Sequence, residues 1–382
     1  MKRQVLYCLF QDLHNFPPCI AQVCMLKDMG IDVRVLTAGC AGPTAQLLEE
    51  KCIPYQTYNQ IKSPHRLTRR IVNMSRFAAA FLGFYRKFRT DNTVVWMGTE
   101  QSTIGLWPIL RFVHPLVVNA LEFYEDDWYQ SAMKRIAPKA DLLTACEPTR
   151  AKFMQDWWDL PRLPYVLRNK PYGSPIPKGS GSNPALQEAI AKLQGKKVLL
   201  YQGDISPQRD LSTLARALRD ANSSYYLVLY GRLLEGENLA QLQQIYDKTL
   251  YLGYFPAPSH LEITPHATIG VTYYRDTCIN TRHCAPNKIH EYAGCGIPML
   301  CNRLPGLMDT VGAAGAAEAV ASVLALKTGT VPPTINLDEI DPECDLNYTP
   351  NVFAKADLTM ALSISLGFGG HNGCLAFRKF KE

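Results

Sequence analysis

Residues 282–301 read Arg-His-Cys-Ala-Pro-Asn-Lys-Ile-His-Glu-Tyr-Ala-Gly-Cys-Gly-Ile-Pro-Met-Leu-Cys, and the rest of the chain is organised around them. The Pro286-Asn287 pair opens a helical turn, Glu291 falls near its far end, and Gly294-Cys-Gly-Ile-Pro298 punctuates before a short apolar run. The pattern predicts loop, short helix, tight turn and buried strand. A helix N-terminus presents unpaired N–H groups and a positive dipole end, which suits phosphate. Asn287, Lys288 and Glu291 fall on neighbouring turns, so one short helix carries an anion-binding end and a carboxylate able to accept from a ribose diol. An ordinary capped helix with an exposed Glu fits the same letters.

Upstream, Lys197-Val-Leu-Leu-Tyr-Gln-Gly203 reads as a strand running into a Gly turn, followed by a helix over 211–221. Arg209 lies between that strand's carboxyl end and the helix start, a place suited to a diphosphate. Tyr226-Leu-Val-Leu-Tyr230, residues 251–255 and Ala267-Thr-Ile-Gly-Val271 supply further strands, and residues 275–283 read as an unstructured loop.

The first half repeats the pattern. Val5-Leu-Tyr-Cys-Leu-Phe10, a loop, a helix over 19–29 and Asp32-Val-Arg-Val-Leu36 form a β-loop-α-β unit that opens a doubly wound sheet. The loop has no Gly-x-Gly-x-x-Gly, which disfavours a dinucleotide site, and it carries His14, either a surface residue or an acceptor-side group. Strands over 93–97, 116–120 and 141–145 follow. Glu122, Glu125 and Asp126 come just past the second of these, where open sheets place chemistry. They could orient an acceptor or move its proton, or form a solvated acidic loop. Residues 173–183, rich in Gly, Ser and Pro, mark a boundary between domains at 1–172 and 184–308.

Pro286-Asn-Lys-x-x-Glu291-Tyr with Ala-Gly-x-Gly-x-Pro298, paired with Tyr201-Gln-Gly-x5-Arg209-x-Leu211, resembles the donor-site signature of family-4 glycosyltransferases of GT-B fold over residues 1–308. The resemblance implies two Rossmann-like domains and retaining transfer without a metal, from a nucleotide-sugar co-substrate to a glycan or lipid-linked acceptor. It implies that Glu291 holds the ribose, that Arg209, Asn287 and Lys288 hold the diphosphate, and that Glu122 and His14 are the acceptor-side catalytic candidates. The sequence departs from the pattern twice. His283 stands where many members have a Glu, and Asp210 stands where they often have Gly.

The 382 residues carry a net charge of +6 and suffice for two sizeable cores. Between 52 and 90 there is no acidic residue before Asp91, while Lys62, Arg66, Arg69, Arg70, Arg76, Arg86, Lys87 and Arg89 are basic. Ile71, Met74, Phe77, Phe81 and Phe84 make a helical stripe among them, suited to a core-facing helix or to one lying on anionic lipid. No nucleic-acid motif accompanies it. The twelve cysteines contain no Cys-x-x-Cys and fit no zinc template, so buried free thiols in a reducing cytoplasmic compartment are expected. Neither a signal peptide nor a spanning helix is expected.

After Leu307 the character changes. Gly312-Ala-Ala-Gly-Ala-Ala-Glu, Pro332-Pro-Thr-Ile-Asn-Leu337, Asp341-Pro-Glu-Cys-Asp-Leu346 and Gly367-Phe-Gly-Gly-His-Asn372 resemble, in order, the C-terminal end of β-ketoacyl-acyl carrier protein synthases over 309–382. That family's nucleophilic Cys segment is not among these residues, and Asp309 replaces a family His. The expectation is therefore an α/β chain of two Rossmann-like domains with a foreign tail, acting as a hexosyltransferase of polysaccharide biosynthesis, cytoplasmic or peripheral at a membrane. The alternatives are a ketosynthase-like protein and a fusion that binds nucleotide without turnover.

Overall fold

The computed structural model describes residues 3–173, 178–236, 239–311, 313–334, 347–367 and 371–379. The chain forms two compact units, Met1–Gly306 and Leu307–Glu382.

The first unit contains two parallel sheets. Strands β1 (Gln4–Cys8), β2 (Asp32–Thr37), β3 (Tyr55–Thr57), β4 (Thr93–Met97), β5 (Leu116–Ala120), β6 (Leu142–Ala145) and β7 (Tyr165–Val166) lie in the order β3-β2-β1-β4-β5-β6-β7. Every residue of β1 and β5 is buried, as expected of central strands covered on both faces. One face packs Leu6, Cys8 and Val95 against Phe77, Phe81 and Phe84 of the helix Arg66–Phe88. The core-facing reading of this basic helix therefore holds over its later turns, while Leu67 and Ile71 near its start are exposed. The other face packs Val5, Tyr7 and Val33 against Ile20, Val23 and Cys24 of the helix Pro17–Asp28.

The second sheet holds β8 (Lys197–Gln202), β9 (Tyr225–Tyr230), β10 (Thr249–Tyr251), β11 (Ile269–Thr272) and β12 (Met299–Cys301), ordered β10-β9-β8-β11-β12. The expected pair of Rossmann-like domains is present. The helix Asn287–Gly294 is clamped to this sheet by Tyr292, whose hydroxyl donates to Leu200 O at 2.9 Å. Residues 275–283, expected to be an unstructured loop, contain the helix Ile279–Arg282, whose Cys278 N-cap is bonded by Thr281. It is ordered by long-range bonds to the first sheet's loops that have no local sequence signature.

In the second unit, the helix Ala313–Thr328 packs along β15 (Met360–Gly367), which pairs antiparallel with β16 (His371–Arg378). A second pair joins β13 (Thr330–Val331) and β14 (Ala354–Lys355). The quoted motif residues 335–346 and 368–370 lie outside the described residues, as do 174–177 of the expected linker. No helix among the described residues is long and apolar enough to cross a membrane.

Candidate functional site

The carboxyl ends of β1, β4 and β5 face those of β8 and β9 across a cleft of about 540 Å³. His14, Glu122, Arg209, Asn287, Lys288 and Glu291 all line it, although they come from four separate stretches of chain. Placing ligands beyond the carboxyl ends of parallel strands is the general rule for open α/β sheets.

One wall carries the cleft's cationic groups. Pro286 is the N-cap of the helix Asn287–Gly294, so the helix's first N–H groups open into the cleft without intrahelical partners. Lys288 is buried, with its ammonium 4.1 Å from the ring centroid of Tyr201 and 5.4 Å from that of Tyr274. Burial, with the Arg209 guanidinium next in effect, pulls its pKa down to about 7. Arg209 stacks 4.3 Å over Tyr274. Neither cation has a carboxylate partner in an ion pair among the described residues, so the wall holds positive charge awaiting an anion.

Two glycines make the room. Gly203 has φ +118°, and a Cβ there would lie 3.3 Å from Lys288 Nζ. Gly231, at φ +142°, would put a Cβ 1.9 Å from Gly203 O, so the exits of β8 and β9 touch backbone to backbone. Asp210 occupies the left-handed region at φ +50°. Asp tolerates that conformation, which accounts for its standing where Gly is common. Its carboxylate is held by Arg275 at 3.0 Å and Thr213 at 3.0 Å.

Glu291 is 5% exposed, not the surface Glu of an ordinary capped helix. Gln202 Nε2 donates to its Oε2, and His260 Nε2 lies 3.2 Å from its Oε1. Tyr230 OH and Thr264 Oγ1 in turn donate to Gln202 Oε1, at 2.9 and 3.1 Å. The carboxylate is thus fixed in direction, with lone pairs left for a diol. Gln202 and His260 are site residues that sequence reasoning missed. Gln202 ends a strand, a detectable position, whereas His260 arrives from the short 3-10 helix Ser259–Glu262, 31 residues before Glu291.

Across the cleft, Glu122 Oε2 accepts from Asn280 Nδ2 at 2.7 Å and lies 3.6 Å from Nη1 of buried Arg150. Glu125 Oε2 accepts from Ile279 N at 2.6 Å. Both carboxylates therefore join the two sheets' loops, while Glu122 stays half-exposed to the cleft. His14 is half-buried with Nδ1 unpartnered. Another missed residue is Glu100, 2% exposed, whose Oε2 accepts from Leu121 N at 3.1 Å. Burial pushes its carboxyl up to about 7. His283 does not line the cleft; it packs against Phe153 at 5.4 Å, and burial lowers its pKa. Cys284 is a buried thiol pushed up to about 12.

The chain resembles solved structures over most of its length. Anabaena Alr3699/HepE, crystallised with UDP-glucose, superposes with TM-score 0.58 at 16% identity, covering 80% of this chain and 82% of that one. A glycosyltransferase from Rickettsia africae ESF-5 gives TM-score 0.53 at 10% identity over 81% and 82%. These likenesses establish the fold shared with GT-B glycosyltransferases. Separately, residues 309–338 match the family model "Beta-ketoacyl synthase, C-terminal domain". Seventy-one residues are 52% identical to 3-oxoacyl-[acyl-carrier-protein] synthase 2 of Synechocystis sp. (strain ATCC 27184 / PCC 6803 / Kazusa), and a Staphylococcus aureus (strain COL) counterpart matches at 51% over the same length. The match covers 19% of this chain, and the chain spans only 17% of the length of those relatives. The chain thus joins a GT-B body to a short ketosynthase-like segment.

Proposed function

We propose that the cleft binds a nucleotide sugar and transfers its sugar to a glycan or lipid-linked acceptor, with retention and without a metal. The observation that carries this reading is the placement of Arg209, Lys288 and an open helix N-terminus on the same wall as the oriented carboxylate of Glu291. That spacing suits a diphosphate joined to a ribose. HepE, which shares this fold, was crystallised with UDP-glucose, and that supports a uridine nucleotide.

In this reading residues 184–308 are the donor domain and 1–172 the acceptor domain, with 173–183 as linker and 309–382 as the ketosynthase-like fragment. The bond from the anomeric carbon to the diphosphate oxygen breaks as the bond to the acceptor oxygen forms. Arg209, Lys288, Asn287 and the helix N–H groups neutralise the charge that gathers on the departing diphosphate. Glu291 holds the ribose. Glu122, with His14, orients the acceptor hydroxyl, whose proton leaves on the departing phosphate. The exposed start of the basic helix, at Leu67 and Ile71, favours contact with an anionic membrane surface.

Titration with UDP and UDP-glucose by calorimetry tests the reading. Binding of both, weakened by Glu291→Ala, is expected; a folded protein that binds neither overturns it.

A further inference from the structure

A second chamber of about 950 Å³ opens beside the cleft, and Gln101 and Tyr124 line both. Its construction is specific. Asn73, buried in the basic helix, accepts from Ile61 N at 2.8 Å and donates to Ile61 O at 3.3 Å. Arg76 Nη1 donates to Asn59 O at 3.1 Å. The 59–62 loop is thereby pinned to the helix as a wall.

The chamber's charge is unspent. Lys62, Arg69 and Arg70 line it, and none makes an ion pair among the described residues. Arg70 stacks 4.5 Å over Trp128, which holds its guanidinium in place but leaves its charge unneutralised. Two carboxylates, Asp12 and Asp126, also line the space, and Asp126 is in addition the N-cap that accepts from Tyr129 N at 2.9 Å. Three cations against two carboxylates leave an excess of positive charge. Ile61, Met74 and Ile104 supply an apolar side.

On the reading of the cleft given above, which this inference rests on, we infer that the chamber binds the acceptor and selects one carrying a phosphate or diphosphate ester. The anion sits against Lys62, Arg69 and Arg70, and the accepting hydroxyl reaches the cleft past Gln101 and Tyr124. Arginine suits this role because its planar fork pairs phosphate oxygens two at a time. The apolar side and the exposed Leu67 and Ile71 place any hydrocarbon portion next to the same anion site.

The test is calorimetric titration of the whole chain, first with UDP and then, with UDP saturating, with inorganic pyrophosphate and with geranyl diphosphate. Saturating UDP keeps these phosphates from the Arg209 and Lys288 wall. Arg69→Glu/Arg70→Glu is expected to weaken both phosphates at least about tenfold while UDP affinity stays unchanged. Arg69→Gln/Arg70→Gln serves as a milder pair, and far-UV melts check the fold of each. Geranyl diphosphate binding at least about tenfold tighter than pyrophosphate identifies a lipid-carried acceptor; equal affinities identify a soluble phosphate ester. Absence of phosphate binding, or binding indifferent to both variant pairs, overturns the inference while UDP binding upholds the cleft. If UDP itself does not bind, the reading of the cleft fails and the assignment of the chamber to an acceptor fails with it. The Arg69/Arg70 variants still decide whether the chamber binds phosphate.

Discussion

His260 Nε2 lies 3.2 Å from Oε1 of Glu291, a carboxylate that the helix Asn287–Gly294 carries into the cleft wall almost wholly out of solvent. Gln202 holds the other oxygen. Removing the carboxylate therefore leaves two buried donors unpaired and, on the proposed reading, takes away the ribose contact. Glu291→Ala should weaken UDP binding roughly tenfold to a hundredfold, read by calorimetry. An unchanged dissociation constant rejects the ribose assignment.

Lys288 gives the cleft a pH dependence. With its ammonium pulled down to about 7, the side chain loses its proton as pH rises through that value. A diphosphate binds the charged form, so affinity for UDP should fall by up to roughly tenfold between pH 6 and pH 8. Lys288→Arg, which stays protonated, should flatten the profile; a wild-type profile already flat in that window counts against the assignment.

Glu100 shifts the other way. Its folded value near 7 lies above the ordinary 4.5, so the fold favours the protonated acid. Unfolding releases that proton at intermediate pH, and stability should decline as pH rises from about 4.5 to about 7, then level off at a penalty on the order of 3 kcal/mol. Glu100→Gln should gain over wild type in urea midpoint at pH 8 but little at pH 5. An equal difference at both pH values refutes the shift.

Gly231→Ala should cost on the order of 3 kcal/mol in urea unfolding, because the added carbon collides with a main-chain oxygen in a left-handed conformation. A wild-type midpoint would mean that the two strand exits are further apart than described.

The hairpin of β15 and β16 has no third strand beside it among the described residues, and Met360 and Leu362 are exposed. Unpaired strand edges with apolar side chains invite self-association. Met360→Lys/Leu362→Lys should lower the oligomer fraction seen by light scattering, and no change would acquit this edge.

Much of this architecture was legible because it is local. Apolar runs of five or six residues announced the parallel strands, and Pro286-Asn287 announced the helix Asn287–Gly294. The grouping of Asn287, Lys288 and Glu291 at the cleft was legible for the same reason, since they sit within two turns of one helix. What the letters concealed depends on distant partners. Glu122 looked like a free acidic group, yet it bonds to Asn280, 158 positions away. His260 and Glu100 acquire their significance from burial, which single-residue identity does not report. His283 was legible only as a departure; its packing against Phe153 required the fold.

One consequence follows from Asn280. Its amide donates to Glu122 and accepts from Phe123 N at 3.0 Å, and its carbonyl accepts from Arg150 Nη2 at 2.5 Å. Glu125 adds a fourth tie at the neighbouring residue. Ties so concentrated cannot be released one by one without stranding polar atoms, so the two halves should part in a single cooperative step. The dwell time of anything held between them is then governed by a latch, and Asn280→Ala should shorten residence more than it slows arrival, as stopped-flow traces would show.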